Sequence, residues 1–219
     1  MPLPNGVHPT GRIETFCPDA MLMGNRGILH RQLYGPVKKD WQHKSWVACR
    51  MNFGAWQRGV KMDGKLRLMT SLSEYSELFF LDEATALSAG HRPCGTCRKT
   101  DYTAFKSAWC KAKEVEESEF ETKLVDCELH HDRCAGQHDY KQTSAFKFNE
   151  LPDGAIFLSD GSPHLRWKGK VWLWTARGYI QGESRKLGRA EVEVLTPKAM
   201  LGVLRAGYAV QVHRSAAFA

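Results

Sequence analysis

The sequence predicts an α+β protein: a small β-sheet with helices around a Cys-rich knuckle, then a C-terminal β-meander or half-barrel and a terminal helix. Three observations predict it. Strand-like alternation with hairpin signals fills the first third. An Ala-rich helical run starting at Glu83 leads directly into the pair Cys94 and Cys97. After Leu151, Asp-Gly and Lys-Gly turns separate short apolar runs. The composition shift places the organisation at 1–143 for the α+β part and 144–219 for a small β-rich subdomain packed on it.

Residues 1–26, rich in Pro, Gly and Met with little periodicity, are expected to form an extended arm and loop. Gly24-Asn25-Arg26-Gly27 is a turn signal, and Ile28-Leu29-His30 a short strand. Residues 45–53 alternate as a strand, with Trp46, Ala48 and Arg50 on one face and Val47, Cys49 and Met51 on the other. Asp63-Gly64 marks a hairpin within 60–69. Residues 75–81 read as another strand, after which the Asp82 carboxylate can accept the free amides of a helix at 83–89 that stops at Gly90. Pro93 lacks an amide hydrogen and forbids continuation.

Thr100 or Asp101 can cap a further helix carrying Tyr102, Phe105 and Trp109 on one core-facing stripe. The acidic run 114–121 is expected to continue as a solvated helix toward Cys127 and His131, with Phe120, Leu124 and Cys127 inward. Residues 132–143 read as a surface loop. Short strands are expected at 155–158, 164–167 and 171–174, a basic Gly-containing loop at 177–189, and a closing strand at 191–195. Thr196-Pro197 is a cap and first turn for a helix over 198–206.

With 42% hydrophobic and 25% charged residues over 219, the chain can bury a sizeable core. No run is long or apolar enough for a membrane helix, and the N-terminal residues lack signal-peptide character, so a cytoplasmic location and reduced thiols are expected. Seven cysteines, an odd number, then favour metal binding or a reactive thiol over a disulfide framework. Lys and Arg outnumber Asp and Glu by 11 to 4 in residues 1–70 and by 10 to 5 in 151–219, against 10 to 15 between them. Basic ends of this kind suit a polyanion such as nucleic acid.

Cys94-Gly95-Thr96-Cys97 presents two thiols from one tight turn, a standard half of a zinc site. Arg92, Arg98 and Lys99 flank it and favour the thiolate that metals bind. Zinc takes four ligands, and Cys17, His30 and one of His130 and His131 are candidates to help complete the set. His30 is preferred because its strand can pair beside Cys49.

From Ala84 to Arg98 the chain resembles the amino-terminal zinc domain of the Ada-type alkylation-repair proteins. There a Gly-aromatic-Arg-Pro-Cys-x-x-Cys-Arg knuckle follows an Ala-rich helix. Here His91 stands at the aromatic position, followed by Arg92, Pro93, Cys94, Cys97 and Arg98. Trp46-Val47-Ala48-Cys49-Arg50 resembles the setting of that family's first upstream cysteine, while Phe53 occupies the place of its second. The rest of the chain has no counterpart. The resemblance implies that Cys49, Cys94 and Cys97 hold the metal, that the domain binds DNA, and that Cys49 accepts a methyl group from a backbone phosphotriester.

The resulting expectation is a zinc-containing DNA-binding protein of repair or modification. Arg50, Arg92, Arg98 and Lys99 would lie near phosphates, and Trp46 would stack or pack. An alternative is a DNA glycosylase or hydrolase with structural zinc, using Asp126 and His130, whose helical spacing aligns them on one face. A third is a noncatalytic module for nucleic acid or a partner protein.

Overall fold

The computed structural model describes residues 5–15, 17–30, 38–51, 75–136, 139–140, 144–182 and 188–216. It is an α+β fold with two open six-stranded sheets and, among the described residues, four α-helices. No helix among them is long and apolar enough to cross a membrane.

The first sheet is mixed and built from short strands: β1 (Gly6–Val7), β2 (Ile13–Thr15), β3 (Leu22–Asn25), β4 (Val47–Arg50), β5 (Leu78–Phe80) and β6 (Arg92–Pro93). Their order is β2-β1-β5-β3-β4-β6, with β1–β5 and β4–β6 parallel. The segment expected as an arm and loop therefore supplies three strands, each two to four residues long and too short to carry a readable period. Gly24 on β3 admits the Phe80 ring: a Cβ there would lie 2.3 Å from Cε2. The hairpin expected at 60–69 lies outside the described residues.

Helix α1 (Glu83–Ser88) begins as expected, with Asp82 accepting from the Thr85 N–H at 2.9 Å. Helix α2 (Lys99–Lys113) starts one residue before the anticipated caps and ends where Glu114 turns left-handed, at φ 55°. The acidic run is consequently not a continuous helix. A 3-10 turn at Glu117–Glu119 separates α2 from α3 (Thr122–Arg133). On α3 the inward residues are Val125, Asp126, Leu129, His130 and Arg133, whereas Leu124 is 61% exposed. The break before Thr122 leaves Phe120 outside α3, and Cys127 is only half-buried. A ribbon of β7 (Cys134–Gly136) and β8 (Asp139–Tyr140) follows, where a loop was expected.

The second sheet contains β9 (Ser144–Lys147), β10 (Ile156–Ser159), β11 (Ser162–Trp167), β12 (Lys170–Thr175), β13 (Gly178–Gln181) and β14 (Glu191–Val194). It is antiparallel in the order β13-β12-β11-β10-β14-β9, and of the two expected forms the meander is the one observed. Asp160-Gly161 and Lys168-Gly169 close its hairpins with both residues left-handed, at φ 50° and 72° and at φ 49° and 72°. That is the turn whose twist matches the flanking strands. Strand β13 lies inside the stretch expected as a loop, and β14 sits between β10 and β9 rather than at an edge. Helix α4 (Lys198–Arg205) packs Ala199, Met200, Val203 and Leu204 inward; Thr196 Oγ1 accepts from the Ile156 N–H at 2.8 Å instead of capping it.

One apolar cluster joins α1, α2 and α3 to this sheet and α4. It includes Leu87, Phe105, Leu129, Leu165, Trp172 and Val203, drawn from both sides of position 143. Each large apolar side chain so buried contributes about 1.5–3 kcal/mol.

Candidate metal centre

Strand alternation turns Trp46 and Ala48 into the core, at 2% and 1% exposure, and leaves Cys49 half-buried on the other face of β4. The parallel register of β6 pairs Val47 with Arg92 and Ala48 with Pro93. Cys94 thus emerges beside Cys49, its N–H donating to Ala48 O at 3.0 Å. The chain then turns through Gly95 and Thr96. Arg98 N–H donates to Cys94 O at 3.0 Å before α2 begins, and Arg50 N–H donates to Cys97 Sγ at 3.4 Å. The sulfurs of Cys49, Cys94 and Cys97 all lie within 4.8 Å of one another. Tetrahedral zinc with Zn–S of about 2.3 Å separates its sulfurs by roughly 3.8 Å, so these three are close enough that a small contraction would let them share one ion.

Their protonation is shared. The Cys94 thiol is pulled down, first by a hydrogen bond from Cys49 and then by the Cys97 and Thr96 N–H groups. Cys49 is pushed up by that same hydrogen bond, by burial and by the charge of its neighbours. Cys97 is pushed up by burial, with Arg50 N–H opposing. One thiolate forms readily here. The next two face like charge at close range, and a bound dication removes that penalty. The donor set therefore fits zinc.

The flanking arginines differ from expectation. Arg92, 6% exposed, lies bidentate against Asp126, with Nε–Oδ1 2.6 Å and Nη2–Oδ2 3.0 Å, and donates through Nη1 to Pro93 O at 3.2 Å. Arg98, 1% exposed, donates to Glu83 Oε1 at 2.7 Å and Asp101 Oδ2 at 2.9 Å. Glu83 in turn accepts from Tyr208 Oη at 2.7 Å and Gln211 N–H at 2.9 Å. Both guanidinium groups are thus held by protein carboxylates rather than offered to phosphate. Trp46 is also internal: its indole N–H donates to His43 O at 2.8 Å and Arg26 lies 4.0 Å from its ring centre. Of the five residues expected at DNA, Arg50 and Lys99 are the exposed ones.

Asp126 is engaged by Arg92, and His130 is buried edge-on to Trp41 and Trp46 at 4.4 and 5.3 Å. The structure therefore places this pair in packing, away from water. His30 falls outside the close sulfur group, with Nδ1 against Ser76 Oγ at 2.5 Å. Cys17 packs on the large core cluster; its thiol is pushed up to about 12 by burial and by Asp82 and Asp19.

Tyr102 also supports the knuckle, which sequence reasoning missed. Its ring is 3.5 Å from where a Cβ on Gly95 would sit, its hydroxyl is 2.6 Å from Thr122 Oγ1, and the Arg92 guanidinium lies 5.4 Å from its ring centre. Thr122 and Asp126, one helical turn apart on α3, thereby brace the knuckle from behind.

No protein-family model matches the chain, and neither a curated protein nor a solved structure matches it.

Proposed function

We propose that this chain is a zinc-thiolate protein acting on DNA, with Cys49, Cys94 and Cys97 holding the ion and Cys49 as its reactive sulfur. The convergence of three sulfurs, from a strand and a distant turn, within 4.8 Å carries the reading. Zinc, when bound, keeps the thiols ionised at neutral pH.

The chain then distinguishes the sulfurs. Cys97 accepts the Arg50 N–H, and Cys94 receives the Cys97 and Thr96 N–H groups. Among the described residues, no backbone N–H donates to Cys49. Hydrogen bonding stabilises the charged form of a thiolate, so Cys49 keeps the most electron density for attack. In the methyl transfer that the Ada resemblance implies, Cys49 Sγ bonds to the methyl carbon. The carbon–oxygen bond breaks, and the phosphodiester anion leaves. Arg50 and Lys99, exposed beside the knuckle, supply positive charge for that anion.

Two measurements test the reading. Elemental analysis of the purified protein is expected to give about one zinc per chain, lost in Cys94→Ser. Peptide mass spectrometry after exposure to methyl-phosphotriester DNA is expected to place one methyl group on Cys49. A zinc-free native protein would overturn the metal reading; zinc present with Cys49 unmodified would overturn the transfer reading alone.

A further inference from the structure

All the cysteines are free thiols, and the three at the knuckle differ in access. Cys49 and Cys94 are each partly open to solvent, while Cys97 is 6% exposed and its sulfur accepts the Arg50 N–H at 3.4 Å. An oxidant in solution therefore reaches the first two before the third. Cys17 and Cys127, also partly open, fall outside the close sulfur group.

Backbone register sets the accessible pair in position. Strands β4 and β6 match Val47 with Arg92 and Ala48 with Pro93, and the ladder runs on past the end of β6, because the Cys94 N–H still donates to Ala48 O at 3.0 Å. One residue further along this register, Cys94 stands opposite Cys49, and paired residues of neighbouring strands project to the same face. Such strands run about 4.7–4.9 Å apart, inside the Cα separation of about 4.4–6.8 Å that a disulfide spans. The two sulfurs already lie within 4.8 Å of each other, a gap that side-chain rotation can close. Cys97 competes for Cys94 across the tight turn, but its burial and the Arg50 N–H hold its sulfur in place.

We propose that Cys49 and Cys94 form a reversible disulfide that replaces the metal ion, which makes the knuckle a site of oxidative modification by peroxide. The inference rests on the zinc reading above and adds regulation to it. One thiolate of the pair attacks an oxygen of hydrogen peroxide. The oxygen–oxygen bond breaks, hydroxide leaves, and the sulfur becomes a sulfenic acid. The second thiolate then attacks that sulfur, the sulfur–oxygen bond breaks, and a second hydroxide leaves. Two thiolates have given up two electrons, and the peroxide becomes two waters on taking two protons from solvent. Two of the three sulfur ligands are consumed, so the ion is lost and Cys49 has no thiolate left for methyl transfer. A dithiol reverses the bond by thiol–disulfide exchange.

The test adds graded hydrogen peroxide to the full chain after its zinc content has been measured. Released zinc is read with a chromogenic chelator, and linked peptides are mapped by mass spectrometry without reduction. One zinc is expected to leave per disulfide formed, with the Cys49 and Cys94 peptides joined; dithiothreitol with added zinc is expected to restore both the thiols and the metal. The double variant Cys17→Ser/Cys127→Ser is expected to release zinc at the same peroxide dose as the parent. A tenfold shift of that dose places the oxidation elsewhere and overturns the assignment, and the peptide map of the parent decides the matter if the variant folds poorly. A Cys94–Cys97 bond, or sulfinic and sulfonic acids without a disulfide, also overturns it. Zinc held with no Cys49–Cys94 bond sinks the exchange alone and leaves the metal reading standing. A chain purified without zinc removes the metal reading, and the exchange falls with it.

Discussion

The knuckle and the C-terminal hairpin are both rich in arginine and lysine, yet they use these residues in opposite ways. At the knuckle, Arg92 and Arg98 are buried and gripped by Asp126, Glu83 and Asp101, so their charge is cancelled within the protein. At the β11–β12 hairpin, Lys168 is exposed and Arg166 half-buried, each 5.8 Å from a ring centre and neither with a carboxylate partner among the described residues. A buried charge must be matched at short range or it destabilises the fold, whereas an exposed one costs little and remains available to a partner. Basic composition beside a Cys-rich turn is thus a poor guide to which charges stay exposed. The location of the matching carboxylates decides it.

The comparison breaks most visibly at the sulfurs. Cys94→Ser or Cys97→Ser is expected to reduce zinc from about one per chain to near zero, and chelation of the parent is expected to lower its melting temperature; both are read by metal analysis and calorimetry. Next in size is the buried pair. Arg92→Met leaves Asp126 uncompensated and is expected to cost about 3–5 kcal/mol in urea unfolding, most of it recovered in Arg92→Met/Asp126→Leu. If Arg92→Met unfolds like the parent, Arg92 is not the inward strut described above.

A smaller effect comes from His91. It is fully buried and held well below its ordinary pKa by burial first, then by Arg26 and Arg133, while Arg26 Nε donates to its Nε2 at 3.1 Å. The unfolded chain binds a proton near pH 6.5 and the folded one resists it. Stability present above that pH is therefore lost as pH falls below it, by up to about 1.4 kcal/mol per unit. The His91→Gln variant, which keeps an acceptor for Arg26, is expected to show a flatter profile between pH 6.5 and 5 in denaturant titrations. The smallest effect is at the hairpin tip: Gly169→Ala, at φ 72° with open space around it, is expected to cost about 1 kcal/mol by thermal melting. It should leave zinc content unchanged.

Short-range signals made the knuckle legible. Asp82, Gly90 and Pro93 set the ends of a helix and the start of an extended pair, and the Cys-x-x-Cys spacing marked the turn. The second sheet was readable for the same reason, since Asp160-Gly161 and Lys168-Gly169 are local instructions. Cys49 joined the site through the resemblance of Trp46-Val47-Ala48-Cys49-Arg50 to the Ada-type setting, and the register of β4 with β6 is what brings it beside Cys94. Arg92 illustrates what was not legible. Its partner Asp126 is 34 residues away on another helix, and nothing near either residue announces the pairing. The acidic run misled because repeated glutamate suits a solvated helix, yet Glu114 adopts a left-handed conformation and ends α2. The N-terminal strands escaped notice because two to four residues hold no readable period; pairing of β1 and β3 with β5, and of β2 with β1, makes them strands.

The Arg50 N–H to Cys97 contact spans 47 positions of the chain. An ion gripping Cys49 together with Cys94 and Cys97 would cross-link two ends of a comparably large loop. By the loop-closure relation for a covalent cross-link, tethering about 50 residues disfavours the denatured ensemble by about 4 kcal/mol. Metal starvation would then threaten the persistence of the folded chain as well as its chemistry.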